Sequence, residues 1–404
     1  MVWQRAKLES LVSEAISGFA CGQRAESGVI QLRMNNATRQ GELDFSNFLR
    51  VPRELTDLEY FSLRVGDVLF NNTNSTEMVG KTGLFVGHAE PVVFSNHFTR
   101  IRTRTESLNP EYLALWLHQQ WLDGLFARIC DRWIGQSAVQ RNKLLALEIP
   151  LPPIQEQRRI ARRLREQLDA VAEARAAVQA QLEAAQGIPA ALLRSTLNGA
   201  AAQSWPFESL GKVSEIGGGI QKTPDRAPRD FHKQFLTVRN VQRGYLDLTN
   251  VERFEVTPAE FQRLRLQRGD LLIVEGNGSV DHIGRNALFN EDGEWIHQNH
   301  IIRVRLSRTR LVPEFVSQYL NSHAGRTQMF EKAMTTTGLY TLSTTKIASL
   351  AVPVPPLSEQ QEIATRLGVE VSDTTRFCQS LKAQLAAIDQ MPAALLREAF
   401  AGRL

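Results

Sequence analysis

The chain has 404 residues, 43% hydrophobic and 22% charged, with a formal charge of +4 and a pI near 9.0, which suits two to three globular domains and permits nucleic-acid binding without requiring it. No stretch approaches the apolar length of a membrane span, and the start Met-Val-Trp-Gln-Arg-Ala-Lys lacks the apolar core of a signal peptide, so cytoplasm is the default compartment. Cys21, Cys130 and Cys378 lie too far apart for a disulfide framework or a cysteine-rich zinc site.

From about Trp3 to Pro153 short β-type runs alternate with turn signals. Phe85-Val-Gly87, Pro91 to Phe94 and Phe98 to Arg102 read as strands, and a helix is predicted from Pro110 to about Arg128, with proline at its start. A long helix follows. Its apolar residues Ile160, Leu164, Leu168, Val171, Val178, Leu182 and Ala185 keep a mixed three-four spacing flanked by Arg, Glu and Gln, the stripe one coiled-coil helix offers another. From about Trp205 to Pro356 the mixed pattern returns. Strands are predicted at Phe235 to Val238, Leu271 to Val274 and Ile301 to Leu306, and a helix from Pro313 to about Met334. The chain then closes on a second apolar seam, Ile363, Leu367, Val371, Thr374, Leu381, Leu385 and Ile388.

These halves are copies. Ile149-Pro-Leu-Pro-Pro-Ile-Gln-Glu-Gln157 recurs as Val352-Pro-Val-Pro-Pro-Leu-Ser-Glu-Gln360, and Ile188-Pro-Ala-Ala-Leu-Leu-Arg194 as Met391-Pro-Ala-Ala-Leu-Leu-Arg397, both at an offset of 203. Gly66-Asp67 and Gly269-Asp270, Asn96-His97 and Asn299-His300, and Pro110-Glu111 and Pro313-Glu314 fall on the same offset. The predicted fold is α+β, a tandem duplication of two mixed globules, 1–153 and 201–356, separated by helical regions 154–200 and 357–404. Roughly 33 helical residues give a rod of about 50 Å. Chain order makes the two helices antiparallel and relates the copies by a pseudo-two-fold axis. Pro189 and Pro392 either kink the helices or start a new turn.

Catalytic signatures are scarce. Gly80-Lys81-Thr82 lacks the glycine a phosphate loop needs at position 75, so a turn before a strand is the better account, and Gly217-Gly-Gly219 lacks the spacing of a dinucleotide site. His97 and His300 have no partner at metal-ligand spacing and read as a repeated structural hydrogen bond. The globules instead carry polar loops suited to base edges and phosphates. Candidate DNA-binding residues are Asn71, Asn72, Asn74, Ser75 and Lys81 with Gln136 and Ser137 in the first copy. In the second they are Gln221, Lys222, Arg226, Asn277, Ser279, His282, Arg285 and Tyr340.

The two Pro-Pro-x-x-Glu-Gln segments opening long helices, Gly66-Asp-Val-Leu-Phe-Asn-Asn-Thr-Asn-Ser75 with Val79-Gly-Lys-Thr82, and Glu275-Gly-Asn-Gly-Ser279 with Ile283-Gly-Arg285, resemble the specificity subunits of type I restriction-modification systems. The resemblance spans the whole chain. It implies two target-recognition domains, each binding one half of a split, asymmetric site in double-stranded DNA, and helices that set the gap and dock two methyltransferase subunits. A restriction-translocase subunit joins them, and S-adenosylmethionine, ATP and Mg belong to the partners. The alternatives are a non-catalytic protein-interaction scaffold with two globular heads, and an enzyme with a site hidden between the globules.

Overall fold

The computed structural model describes residues 3–199, 201–276, 283–333 and 340–403. They form two units, Met1–Gln179 with Ala383–Leu404, and Ala180–Lys382.

Each unit is organised by a four-stranded antiparallel sheet. In the first its order is Val12–Ser17, Phe98–Thr103, Val68–Asn71, Thr82–Leu84; in the second, Ser214–Gly218, Ile301–Leu306, Asp270–Val274, Asn286–Phe289. The central strands bury apolar residues on both faces, and of the arginines that interrupt Phe98–Thr103 and Ile301–Leu306, Arg100 and Arg303 are buried too. Val68 and Phe70 point into one buried cluster with Ile101 and Tyr112, and Leu69 points into another with Ile30 and Phe94. Leu271 and Ile273 divide from Leu272 and Val274 in the same way. A three-stranded sheet with one parallel pair accompanies each: Leu49–Val51, Val29–Leu32, Val92–Phe94, and Glu252–Glu255, His232–Leu236, Trp295–His297.

Local chemistry moves several predicted boundaries. Phe85-Val-Gly87 is not a strand: the strand ends at Leu84, Phe85 makes the last two backbone hydrogen bonds, with Asp67 and Gly66, and is buried, and Gly87 leaves the extended conformation at φ +115. The strand predicted at 235–238 is His232–Leu236. The helix from Pro110 stops at Leu122, because Gly124 adopts φ +72 before a short helix Leu125–Ile129. Its counterpart breaks at Ser322, whose hydroxyl donates to the Tyr319 carbonyl, dividing Pro313–Asn321 from His323–Ala333.

The long helices are Ile154–Leu197, 44 residues continuous through Pro189, and Leu357–Ile388, 32 residues followed by a separate helix, Met391–Phe400, with Pro392 in its first turn. Pro392 thus starts a new helix, while Pro189 lies inside an unbroken one. Each helix passes from one unit to the other. Within the first unit Ile160 and Leu164 share a cluster with Leu396 and Ala399, while Arg175 Nε meets Asp389 Oδ1 at 2.7 Å. Rising numbers on one segment meet falling numbers on the other, so they run antiparallel. Within the second, Leu197 with Leu192 and Leu193 packs into the cluster of Ile363 and Leu367. Of the seam residues, Ile160, Leu164, Val171, Leu182, Ile363, Leu367 and Leu381 are buried, and Leu168, Val178, Val371, Leu385 and Ile388 are half-buried.

The repeated glutamine fastens helix to globule. Gln157 Oε1 accepts from the Asn109 amide at 2.9 Å, and its Nε2 donates to the carbonyls of Ser107 and Pro152, both at 2.9 Å. Gln360 repeats all three contacts, with the Val312 amide and the carbonyls of Arg310 and Pro355. Both side chains are fully buried.

Candidate nucleic-acid interface

In the first unit the polar loop after Val68–Asn71 runs into a small ribbon, ordered Asp131–Trp133, Gln136–Ala138, Thr73–Asn74. Most of its amides are spent holding the loop. Asn71 Nδ2 donates to the carbonyls of His97 and Thr73, and Asn72 Nδ2 to Thr99 Oγ1 at 3.1 Å. Asn74 donates to Asn71 Oδ1 and accepts from the Ser75 amide, each at 2.8 Å. Ser137 shares a hydrogen bond with Thr76, and the buried Lys81 ammonium donates to the Ala37 carbonyl. Burial, and then the charge of Arg39, lower the Lys81 pKa. Asn71, Asn72, Lys81 and Ser137 therefore face the interior, Asn74 is half-buried, and Ser75 and Gln136 face solvent. Gly80 sits at φ +93 in a turn before the strand Thr82–Leu84, as the reading of Gly80-Lys81-Thr82 expects.

The second unit repeats the scaffold in different words. Gly276 bridges Thr341 where Thr73 pairs with Ala138. Arg285 takes the place of Lys81, donating to the Val238 carbonyl at 3.2 Å and to Gln242 Oε1 at 3.4 Å, and its burial lowers its pKa. Tyr340 is half-buried and stacks on Phe330 with ring centroids 5.6 Å apart. Asn277, Ser279 and His282 lie outside the described residues. Gln221 and Lys222 are exposed, Lys222 pairing with Glu252 at 2.5 Å. Arg226 forms a bidentate pair with Glu260, both bonds 2.9 Å, and this pair is the main reason the Glu260 carboxyl is held down to about 2.

The paired histidines share a backbone role, to which His300 adds a contact from Nδ1 to Glu275 Oε2 at 3.1 Å. The His97 carbonyl accepts from the Asn72 amide at 3.0 Å, and the His300 carbonyl from Glu275 at 2.9 Å. Among the described residues no group of three His, Cys, Asp or Glu side chains could hold a metal ion, and no helix is long and apolar enough to cross a membrane.

Sequence reasoning passed over a buried ionic network behind each sheet. Arg100 donates to Glu14 Oε1 at 2.6 Å and to the carbonyls of Tyr60 and Ser62, and Arg102 pairs with Asp67 at 2.7 Å. At the same offset Arg303 binds the carbonyls of Arg263 and Arg265 and pairs with Glu215 at 2.7 Å, while Arg305 pairs with Asp270 at 2.7 Å. The available signal was the recurrence of Asp67, Arg100 and Arg102 at 203.

The family model described as the type I restriction modification DNA specificity domain matches residues 44–184 and again 239–387. The EcoKI type I restriction enzyme specificity subunit of Escherichia coli K12 is 26% identical, over 92% of this chain and 82% of its own length. The StySPI specificity subunit of Salmonella potsdam is 22% identical over the same shares. Among solved structures, the HsdS subunit from Thermoanaerobacter tengcongensis superposes with a TM-score of 0.67 at 18% identity, covering 100% of this chain and 97% of that one. A chain solved for the complex assembly and conformational transition of the type I R-M system reaches 0.73 at 17% identity, covering 100% and 98%.

Proposed function

Because the chain belongs to the type I restriction-modification DNA specificity family, its function is DNA sequence specificity, and we propose the following division of that work among its parts. Each recognition domain, 1–153 and 201–356, binds one half of a bipartite asymmetric site. The helical regions, 154–200 and 357–404, set the spacer through their mutual seam and dock two methyltransferase subunits, which a restriction-translocase subunit joins. The chain binds and does not catalyse; S-adenosylmethionine, ATP and Mg serve the partners. The observation that carries this reading is that the family model matches twice, each match running from the strands of one copy into the long helix that follows.

The residues assigned to DNA are those whose polar atoms remain turned outward: Ser75, Gln136 and the edge of Asn74 in the first copy, and Gln221 and Lys222 in the second. Arg226, Arg285 and Tyr340 border that surface in this reading, and Asn277, Ser279 and His282 join it on sequence alone. Asn71, Asn72, Lys81 and Ser137 act by shaping the loop.

Co-purification with the products of neighbouring genes, followed by mapping of adenine methylation in host DNA, tests the assignment. A split motif that depends on this gene is expected, and its absence refutes the specificity role. Inserting four residues in both long helices should change the spacer; an unchanged spacer would leave the helices as connectors only.

A further inference from the structure

The hairpin Asp131–Trp133 and Gln136–Ala138 pairs Trp133 with Gln136 and turns through Ile134 and Gly135, the glycine at φ +78. Its tip is apolar where a turn facing water is ordinarily polar. Ile134 is wholly exposed at 106%, Trp133 is 57% exposed, and among the described residues neither joins a buried cluster of its unit. Folding gains little from them there, since a hydrophobic side chain stabilises by leaving water.

Their surroundings point to a ligand. The ribbon's alternation puts Trp133 and Gln136 on one face and Arg132, Ser137 and Asn74 on the other, so the tip extends the same ribbon that carries the outward polar residues. From Arg128 to Lys143 the cations are Arg128, Arg132, Arg141 and Lys143 and the one acid is Asp131, already paired with Lys143 at 2.5 Å. The three arginines hydrogen-bond backbone carbonyls, which leaves their charges uncancelled by those contacts. A two-stranded ribbon flanked by cations on the helices before and after it fits a groove of duplex DNA. An aromatic and an aliphatic side chain at its tip match the wedges that part neighbouring base pairs.

We propose that Trp133 and Ile134 form a wedge entering a base step of one half-site, so that the first recognition domain selects its sequence partly by how readily that step unstacks. The inference rests on the DNA-binding reading above and adds a mechanism to one half of it. Unstacking costs least at pyrimidine–purine steps, so such a step is expected under the tip. The second copy has Thr336 and Thr337 at the equivalent positions, which confines the wedge to one half-site.

The test uses the complete complex with its methyltransferase subunits. The duplexes carry the split sequence found by methylation mapping, with 2-aminopurine placed singly along both half-sites away from the methylated adenine. Wild type should raise fluorescence at a step in one half-site and not in the other. Trp133→Ala combined with Ile134→Ser should abolish that rise and weaken binding about tenfold, with the salt dependence unchanged because no phosphate contact is lost. Trp133→Phe should restore most of the signal. If the complex binds its split site and the double variant matches wild type in fluorescence and affinity, the wedge is refuted and the DNA-binding reading stands. If the double variant sheds its methyltransferase subunits while the fluorescence persists, the tip is a protein contact and the wedge is again refuted. Failure of the wild-type complex to bind any split site refutes both.

Discussion

Replacing Gln360 with leucine tests whether the repeated glutamine is the joint between helix and globule. The side chain is fully buried and makes three contacts: the Val312 amide at 2.9 Å, the Arg310 carbonyl at 2.9 Å and the Pro355 carbonyl at 2.8 Å. Leucine fills similar space but satisfies none of them. An orphaned buried N–H costs about 2 kcal/mol and each under-satisfied carbonyl about 1 kcal/mol, while the more apolar side chain returns about 1 kcal/mol, leaving a net loss of about 3 kcal/mol. Urea unfolding, with hydrogen exchange to locate the change, should show the transition of the second unit falling by about 1 M. Gln157→Leu should cost the first unit a similar amount, since the geometry is duplicated. Gln360→Glu should be at least as damaging, because a carboxylate accepts from Val312 but turns negative charge toward two carbonyls. A loss below about 1 kcal/mol in both leucine variants would refute the joint, given that a lone buried unpaired donor alone exceeds that.

Arg303→Met should destabilise the second unit by about 2 kcal/mol, since it strips two carbonyls of their donor, while its carboxylate partner Glu215 stays solvated; Arg268→Ala, which breaks an exposed pair with Asp292, should change stability by less than about 0.5 kcal/mol in the same denaturation assay. His297 is buried, its Nδ1 bonded to the Ile301 carbonyl at 3.0 Å, and burial, reinforced by Arg303, lowers its pKa to about 4. Its neutral form is the native one, so stability is intact above the unfolded pKa of about 6.5 and is lost as pH falls toward 4, by about 2 kcal/mol at pH 5. His297→Phe, which installs the residue that the first copy carries at Phe94, should remove that contribution from the pH profile of the second unit's urea midpoint. Gln136→Ala should relax base preference at one position of one half-site by about tenfold in competition binding, and leave the other half-site unchanged.

The architecture was legible because its strongest signals are periodic. Central strands announce themselves as short apolar runs, as at residues 271–274, and the long helices as matched seams after Pro-Pro. Breaks were less visible. One left-handed glycine, Gly124, and one serine hydroxyl at Ser322 interrupt helices whose apolar patterns continue across them. The interface was harder still, because residue type does not say which way a side chain faces. Asn71, Asn72 and Lys81 have the chemistry of DNA ligands and point inward, where loop carbonyls and hydroxyls need donors. Trp133 and Ile134 have the chemistry of a core and point outward. Gln157 and Gln360 were conspicuous as letters, but their work depends on carbonyls some fifty residues upstream, Ser107 and Arg310, that only folding brings near.

The division between what the copies share and what they vary follows from that chemistry. Shared positions are those where one side chain satisfies several backbone groups at once: the glutamine joint, the Asp67–Arg102 and Asp270–Arg305 pairs, and Asn36 and Asn240, each donating to two carbonyls of the loop beside it. Altering any of them orphans buried groups, so such positions cannot drift without cost. The loops beyond them carry little of this burden on their outward side, and Ser75, Gln136 and the Trp133–Ile134 tip can change without opening a cavity or stranding a donor. A duplicated scaffold built this way can hold the two helices in one register while each copy acquires its own reading surface. That separation predicts that exchanging residues 131–138 for 334–341 should move base preference in one half-site and leave the spacer as it was.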